Sequence, residues 1–315
     1  MSGGPEFDEI RAASGRIAVL VHRTPVLTSE LLDKASKARL FFKCENFQKT
    51  GSFKIRGATN AVLSLSEESA RHGVVTHSSG NHAAALARAA QLRGIPAWIV
   101  MPSNAPAVKR AAVEAYGGKI TFCEPTLAAR ERTAQGLLQK TGAQMIHPYD
   151  NRDVIAGQGT AALELLEEVA DLDFILAPVS GGGLLSGTAI AAKAMNPKIR
   201  VIGCEPKNAD DAFRSMASGQ LEPAAEAETI ADGLRATLCA RTFSILRERV
   251  DQVVTVTEDE IGSAMRTIWE RMKIVIEPSA AVAAAPALLR RIGAEGGRVG
   301  IILSGGNVEL SQLPF

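Results

Sequence analysis

No C-x-x-C pair occurs in this sequence, and its four cysteines, Cys44, Cys123, Cys204 and Cys239, lie far apart. That spacing argues against structural zinc and against a disulfide framework, and for buried free thiols in a reducing compartment. Nor is there a long block of one charge sign. Thirty-five Lys and Arg stand against 34 Asp and Glu, a formal net charge of +1. Without a basic face, nucleic acid is not an expected partner. The opening MSGGPEFDEI lacks a basic stretch followed by an apolar one, so no secretory leader is expected. Apolar runs are short and broken by Gly, Pro or charge, which removes the membrane as a partner. Repeats and low-complexity linkers are also missing. These absences leave the expectation of a cytoplasmic globular protein.

What is present is 315 residues, 46% apolar and 22% charged, enough chain for two domains or one large α/β unit with a sizeable core. Strand-like runs fall at 39–45, 73–78, 97–102, 119–124, 173–180, 201–206, 252–257 and 299–306. Between them lie Ala-rich helical stretches after Lys54 and at 82–94, 107–117, 160–170, 184–195, 260–272 and 280–293. Such alternation predicts parallel sheet with helices on both faces, and ligands at the carboxyl ends of strands. The run from about 73 to 147 reads as a compact βαβαβ unit inserted in a larger one. The expected division is a small domain at 69–149 and a large domain formed by 1–68 and 150–315. The tail after the last strand is short, so no appended regulatory domain is expected.

Four strand-end loops carry polar chemistry. In ENFQKTGSFKIRGA (45–58), Lys54 opens a helix behind Gly51, Ser52 and Phe53. Gly51 permits an unusual turn and Ser52 can cap the helix. An amine beside an aromatic ring, at the positive end of a helix dipole, has a depressed pKa, which suits a nucleophilic lysine that forms a Schiff base. In THSSGNHAAALA (76–87), Ser78, Ser79 and Asn81 precede a helix. Taken alone this is an ordinary capped turn; a functional version would hold a carboxylate on helix N–H groups. In FILAPVSGGGLLSGTAIAAKA (174–194), Ser180, Gly181, Gly182 and Gly183 lie between strand and helix. Close packing explains one glycine, but three suit a phosphate nest. Ser186 breaks the G-x-G-x-x-G dinucleotide pattern, and no P-loop lysine follows. In RVGIILSGGNVEL (298–310), Ser304 ends a strand; by itself that is a plain turn. An amine, an aromatic, a phosphate nest and an isolated hydroxyl together match pyridoxal 5'-phosphate.

The motifs KTGSFKIRGA, HSSGNHA, VIAGQGT, PVSGGGLLSG, EPKNADD, ADGL and LSGGN, in this order over nearly the whole chain, resemble the fold-type II pyridoxal-phosphate enzymes, and within them the serine racemase and serine/threonine dehydratase group. The resemblance implies an α/β fold of two open, twisted, mostly parallel sheets with flanking helices, like the tryptophan synthase β subunit. It implies that Lys54 binds the cofactor aldehyde and serves as the base, with Phe53 packed on the pyridine ring. Asn81 would bond the ring hydroxyl, Gly181, Gly182 and Gly183 the phosphate, and Ser304 the ring nitrogen. Ser180, where many relatives carry glycine, would add a donor or fill space. Ser79 would lie across the cofactor from Lys54. Ser78, Ser79, Asn81 and His82 would frame the substrate carboxylate, and Arg130 would reach the substrate. EPKNADD resembles a divalent cation site, with Mg²⁺ or Ca²⁺ on Glu205, Asp211 and the Ala209 carbonyl. Lys49, Thr50 and Tyr116 match positions that bind ATP in some animal racemases, but Ala84 stands where those carry glutamine, which argues against ATP. A homodimer is implied.

The expected activity is removal of water from a β-hydroxy amino acid such as L-serine or L-threonine, giving a 2-oxo acid and ammonia, with serine racemisation as a side or main activity. The alternatives are a 3-hydroxyaspartate dehydratase giving oxaloacetate, a β-replacement synthase like cysteine synthase, and a non-catalytic amino-acid binder.

Overall fold

In the computed structural model, residues 3–78, 80–223 and 228–314 are described. Ten strands are found among them: β1 (Val26–Leu27), β2 (Arg39–Cys44), β3 (Val74–His77), β4 (Ala97–Pro102), β5 (Lys119–Cys123), β6 (Gln144–Met145), β7 (Phe174–Pro178), β8 (Arg200–Pro206), β9 (Gln252–Val256) and β10 (Arg298–Leu303). They form two sheets, ordered β1-β2-β10-β7-β8-β9 and β5-β4-β3-β6. All pairings are parallel except β1 on β2. Strands buried on both faces must be apolar along their length rather than alternating. β7, FILAP, and the last five residues of β10, VGIIL, are buried throughout. Two apolar clusters cover the two faces of the larger sheet, and two smaller ones cover the other.

All eight strands expected from the sequence form. The two missed, β1 and β6, are two residues long and too short for any periodic signal. The helix expected at 160–170 instead spans Arg152–Glu168, with Asn151 as its cap: the Asn151 side chain accepts the Val154 N–H at 2.9 Å. Helices at Phe7–Ile17, Leu127–Thr141 and Ala240–Arg249 were not expected. In the first only Ile10, Ala13 and Ile17 are buried and in the last only Thr242, Phe243, Ile245 and Leu246, thin stripes among charged and polar residues. No helix among the described residues is long and apolar enough to cross a membrane.

The strand order does the work of assembly. β2, β10 and β7 are neighbours, and Leu303 stands opposite Cys44 at their carboxyl ends. Loops separated by hundreds of residues therefore emerge side by side. They are also laced together: the Phe53 N–H donates to the Ser304 carbonyl at 3.0 Å, Gly306 to Gly51 at 2.9 Å, and Ser52 bridges Gly305.

The helix Lys54–Ser64 is anchored on its far side. Gly57 meets Gly157 of the helix Arg152–Glu168 backbone to backbone, since a Cβ on Gly157 would lie 2.6 Å from the Gly57 Cα. The Gln158 side chain accepts the Gly57 N–H at 3.1 Å, which satisfies one of the open donors of the first helical turn. Arg56, wholly buried, forks onto Glu45 and Glu164. The VIAGQGT and KIRGA motifs thus fix the direction in which Lys54 leaves its helix.

Candidate active site

Lys54 is the first residue of its helix, and Phe53, not Ser52, is the N-cap; no side chain caps it. The expected cap fails because Ser52 is drawn into the bridge with Gly305, where its hydroxyl is buried without a partner among the described residues. The Lys54 Nζ lies 5.0 Å from the centre of the Phe53 ring and donates to the Pro148 carbonyl at 3.2 Å. Burial pulls its pKa down to about 8, against the opposing charge of Glu277. At pH 7 about a tenth is then free amine, far more than for an ordinary lysine, and a nucleophile requires that form.

The glycine loop follows β7. Gly182 has φ +85°, a left-handed conformation that other residues resist, and a Cβ there would lie 2.7 Å from Thr242 and 2.8 Å from Leu238. Gly181 admits no side chain either, because the Tyr149 ring lies against it. The loop leads directly into the helix Gly183–Met195, whose first N–H groups have no intrahelical acceptors. Backbone donors without side chains, at a helix N-terminus, fit a phosphate. Ser180 does not add to them: its hydroxyl donates to the Ala236 carbonyl at 2.9 Å and accepts the Ala236 N–H at 3.0 Å. Ser304 is 2% exposed between this loop and Lys54.

From the smaller sheet come Ser78, half-buried after β3, and Asn81, which begins the helix Asn81–Arg93. Ser79 lies outside the described residues. His82 turns inward. It is 2% exposed, its Nε2 lies 3.1 Å from the Ile146 carbonyl, and burial drives its pKa down to about 3. A neutral imidazole held this way offers an anion only its backbone N–H in the first helical turn. Arg130 is half-buried on the helix Leu127–Thr141, and its Nε is enclosed without a partner among the described residues.

Glu205 and Asp211 are 0% and 3% exposed, with Ala209 beside them at 7%. Neither carboxylate forms an ion pair among the described residues. Glu205 accepts the N–H groups of Ala212 (3.0 Å) and Phe213 (2.8 Å), and Asp211 that of Leu238 (3.1 Å). Burial still raises them to about 8 and about 6. Among the described residues no three His, Cys, Asp or Glu side chains cluster to hold a metal. All four cysteines are free.

Three site residues gave no signal in the sequence. Glu277, 3% exposed, accepts from Asn81 and Asn307, and burial raises its pKa to about 7. His147 accepts the Asp150 N–H on Nδ1 at 2.9 Å, so its neutral ring carries the proton on Nε2. Burial, and after it the neighbouring His77, lowers its pKa to about 4. Tyr149 packs edge-on to His147 with centroids 4.6 Å apart. The only hint was setting: His147 and Tyr149 follow a strand end and Glu277 precedes a helix, which many inert residues share.

The family model for pyridoxal-phosphate-dependent enzymes matches residues 17–305. The chain is 50% identical over 309 residues to the serine racemase of Dictyostelium discoideum, covering 97% of this chain and 95% of that one. It is 47% identical over 311 residues to the beta-hydroxyaspartate dehydratase of Paracoccus denitrificans, covering 99% of each. The solved structure of maize serine racemase superposes with a TM-score of 0.96 at 49% identity, over 98% of this chain and 95% of that one.

Proposed function

The chain belongs to the pyridoxal-phosphate-dependent enzymes, and from that premise we propose a dehydratase that removes water from a small β-hydroxy amino acid, of the L-serine or L-threonine type, and also racemises serine. The observation that carries this reading is the meeting of Lys54, Ser304 and the Gly181–Gly183 loop at the carboxyl ends of three neighbouring parallel strands.

Bound pyridoxal phosphate supplies an electron sink for negative charge on the substrate α-carbon. The protein's own part is positional and acid–base. Gly181, Gly182 and Gly183 hold the phosphate, Phe53 supports the ring face, and Asn81 meets the ring oxygen. Lys54 would hold the aldehyde and would take the α-proton on Nζ; an amine of pKa about 8 can do so near neutral pH. Ser304 meets the ring nitrogen with a neutral hydroxyl, which does not hold a proton there as a carboxylate would, and this favours loss of a β-substituent over transamination. Ser78 and the N–H groups opening the helix Asn81–Arg93 receive the substrate carboxylate. Ser79 carries a proton on the opposite face, so two carriers on two faces permit racemisation. The net change in the lyase direction is loss of water across the α and β carbons, then hydrolysis to a 2-oxo acid and ammonia.

A second reading, 3-hydroxyaspartate as substrate and oxaloacetate as product, is favoured by the enclosed, unpartnered Nε of Arg130, which suits a second carboxylate. We also infer a divalent cation, Mg²⁺ or Ca²⁺, on Glu205, Asp211 and the Ala209 carbonyl, a homodimer, and a cytoplasmic location in keeping with four free thiols. The boundaries 1–68 with 150–315, and 69–149, are proposed for the two domains; the latter stretch contributes every strand of the smaller sheet.

The test is Lys54→Ala. It should lose the visible absorbance of the bound cofactor and all turnover, and borohydride should fix a pyridoxyl group on Lys54 of the unaltered chain. Retained turnover, or no pyridoxyl peptide at Lys54, overturns the reading. Release of 2-oxo acid from serine, threonine and both 3-hydroxyaspartate diastereomers separates the two substrate classes. If hydroxyaspartate is the substrate, Arg130→Met should depress its turnover more than that of serine.

A further inference from the structure

Glu277 sits at the N-cap of the helix Pro278–Leu288, and its backbone N–H donates to the Gly305 carbonyl at 3.0 Å. Its carboxylate oxygens lie 3.0 and 3.1 Å from the Asn81 Nδ2, and one of them also accepts the Asn307 N–H at 3.2 Å. The Asn307 side chain donates to the Asn81 Oδ1 at 3.0 Å and to the Thr50 carbonyl at 2.8 Å. An ionised carboxylate only accepts hydrogen bonds. With Glu277 ionised the amide of Asn81 has one orientation: its nitrogen faces Glu277 and its oxygen faces Asn307, whose own nitrogen is held by the Thr50 carbonyl.

The Asn81 nitrogen has two N–H groups. The two oxygens of one carboxylate lie too close together, seen from that nitrogen, for each to take its own N–H in line. One N–H is shared between them, and the second has no acceptor among the described residues. Asn81 leads the helix that borders the site, and the charge of Glu277 is felt at Lys54. A spare donor at the head of this helix is available to a bound group, and the ionised Glu277 is what makes it a donor rather than a carbonyl.

We propose that Glu277 is a positioning residue that locks the Asn81 amide with an N–H toward the ring oxygen of pyridoxal phosphate, and so holds that oxygen in its ionised form. This rests on the reading of the site given above. Glu277 acts only through Asn81.

The test compares the visible absorption spectrum, its pH titration and the affinity for pyridoxal phosphate of the holoenzyme in three forms. Glu277→Gln can donate to the Asn81 oxygen and so lets the amide turn over, presenting a carbonyl to the ring oxygen. The band of the ionised form should give way to that of the neutral form, and cofactor affinity should fall by about tenfold, the scale of one hydrogen bond. Glu277→Asp keeps an acceptor-only group and should restore the band in part. Asn307→Asp, at an exposed position, attracts the Asn81 nitrogen from the other side and should give the same spectral change, which covers the case of a Glu277 variant that does not fold. Wild-type spectrum, titration and affinity in Glu277→Gln, or in Asn307→Asp if that alone folds, overturns the inference alone. Wild-type protein that takes up no pyridoxal phosphate overturns the functional reading and this inference with it.

Discussion

Two groups of buried acids, Glu45 with Glu164 and Glu205 with Asp211, meet the same electrostatic problem in different ways. In the first, Arg56 places Nε and Nη2 on Glu45 at 2.7 and 2.8 Å and Nη1 and Nη2 on Glu164 at 2.7 and 2.8 Å. Lys43 adds Glu164 at 2.6 Å, and Thr24 donates to Glu45 at 2.6 Å. Two cations and two carboxylates balance within the chain. Burial would lower the Arg56 pKa and raise that of Glu164, yet the partners reverse both: Arg56 is raised and Glu164 is lowered. In the second group no side chain among the described residues supplies the cation, and burial wins, with Glu205 raised to about 8 and Asp211 to about 6. A closed ionic network belongs to the fold, and here it aims the Lys54 helix. An open one fits the cation proposed above.

The largest effect that separates them is on folding. Glu164→Gln leaves Arg56 and Lys43 facing a single carboxylate in a buried setting. Removing one partner of such a network costs about 3–5 kcal/mol. Urea unfolding should show that loss with or without a divalent cation. A cost under about 1 kcal/mol would mean that the network is not closed and would dissolve the contrast.

The second effect has the opposite sign. Asp211→Asn keeps an oxygen for the Leu238 N–H and removes a buried charge, so in chelator at pH 8 it should stabilise the protein by on the order of 1 kcal/mol. It should also abolish any rise in melting temperature with Mg²⁺ or Ca²⁺. The pH dependence follows the same logic. Both carboxyls bind their proton more tightly folded than unfolded. Their contribution to the cation-free protein is complete below about pH 4 and is lost as pH rises through 6 and then 8. The gain in melting temperature from the cation should therefore grow between pH 5 and pH 8. His82 and His147, lowered to about 3 and about 4, act in reverse: their contribution is complete above about pH 6.5 and is lost on acidification. A cation response that is flat with pH, in a protein that binds the ion, would mean that Glu205 and Asp211 are not its ligands.

How much of this the sequence disclosed depends on where the information resides. Most of the eight longer strands were legible because a strand buried on both faces is a continuous apolar run; β5, an edge strand with no buried residue, was legible from its Ile, Thr and Phe. Lys54 and the glycine loop were legible because a lysine after Gly-Ser-Phe and three consecutive glycines are unusual in themselves. Glu277 was not, because its partners come from distant stretches, Asn307 after β10 and Asn81 after β3, and meet around a glutamate that looks like any helix N-terminal acid. Ser52 misled for the same reason: its spacing suits a cap, but a long-range bridge to Gly305 outbids the local bond. The balance of Arg56 against Glu45 and Glu164 is likewise invisible in a formal net charge of +1.

The smallest effect asks whether the open acids truly lack a resident partner. Arg214 is the nearest rival for that role. It bonds Asp210 at 2.8 Å and lies 3.7 Å from Glu222, but its side chain is 34% exposed and it makes no ion pair with Asp211. Its charge only lowers the Asp211 pKa from a distance, against the larger effect of burial. Exposed pairs of this kind contribute about 0.5 kcal/mol or less. Arg214→Ala should therefore barely move the unfolding midpoint, whereas Glu164→Gln moves it far. It should also remove a repelling charge from the cation site, so that half-maximal stabilisation by Mg²⁺ or Ca²⁺ occurs at a concentration about twofold to threefold lower. If Arg214→Ala instead destabilises the protein as strongly as Glu164→Gln does, Arg214 is the counter-ion of Asp211. The second group of acids would then be as closed as the first, and no ion would be needed to explain it.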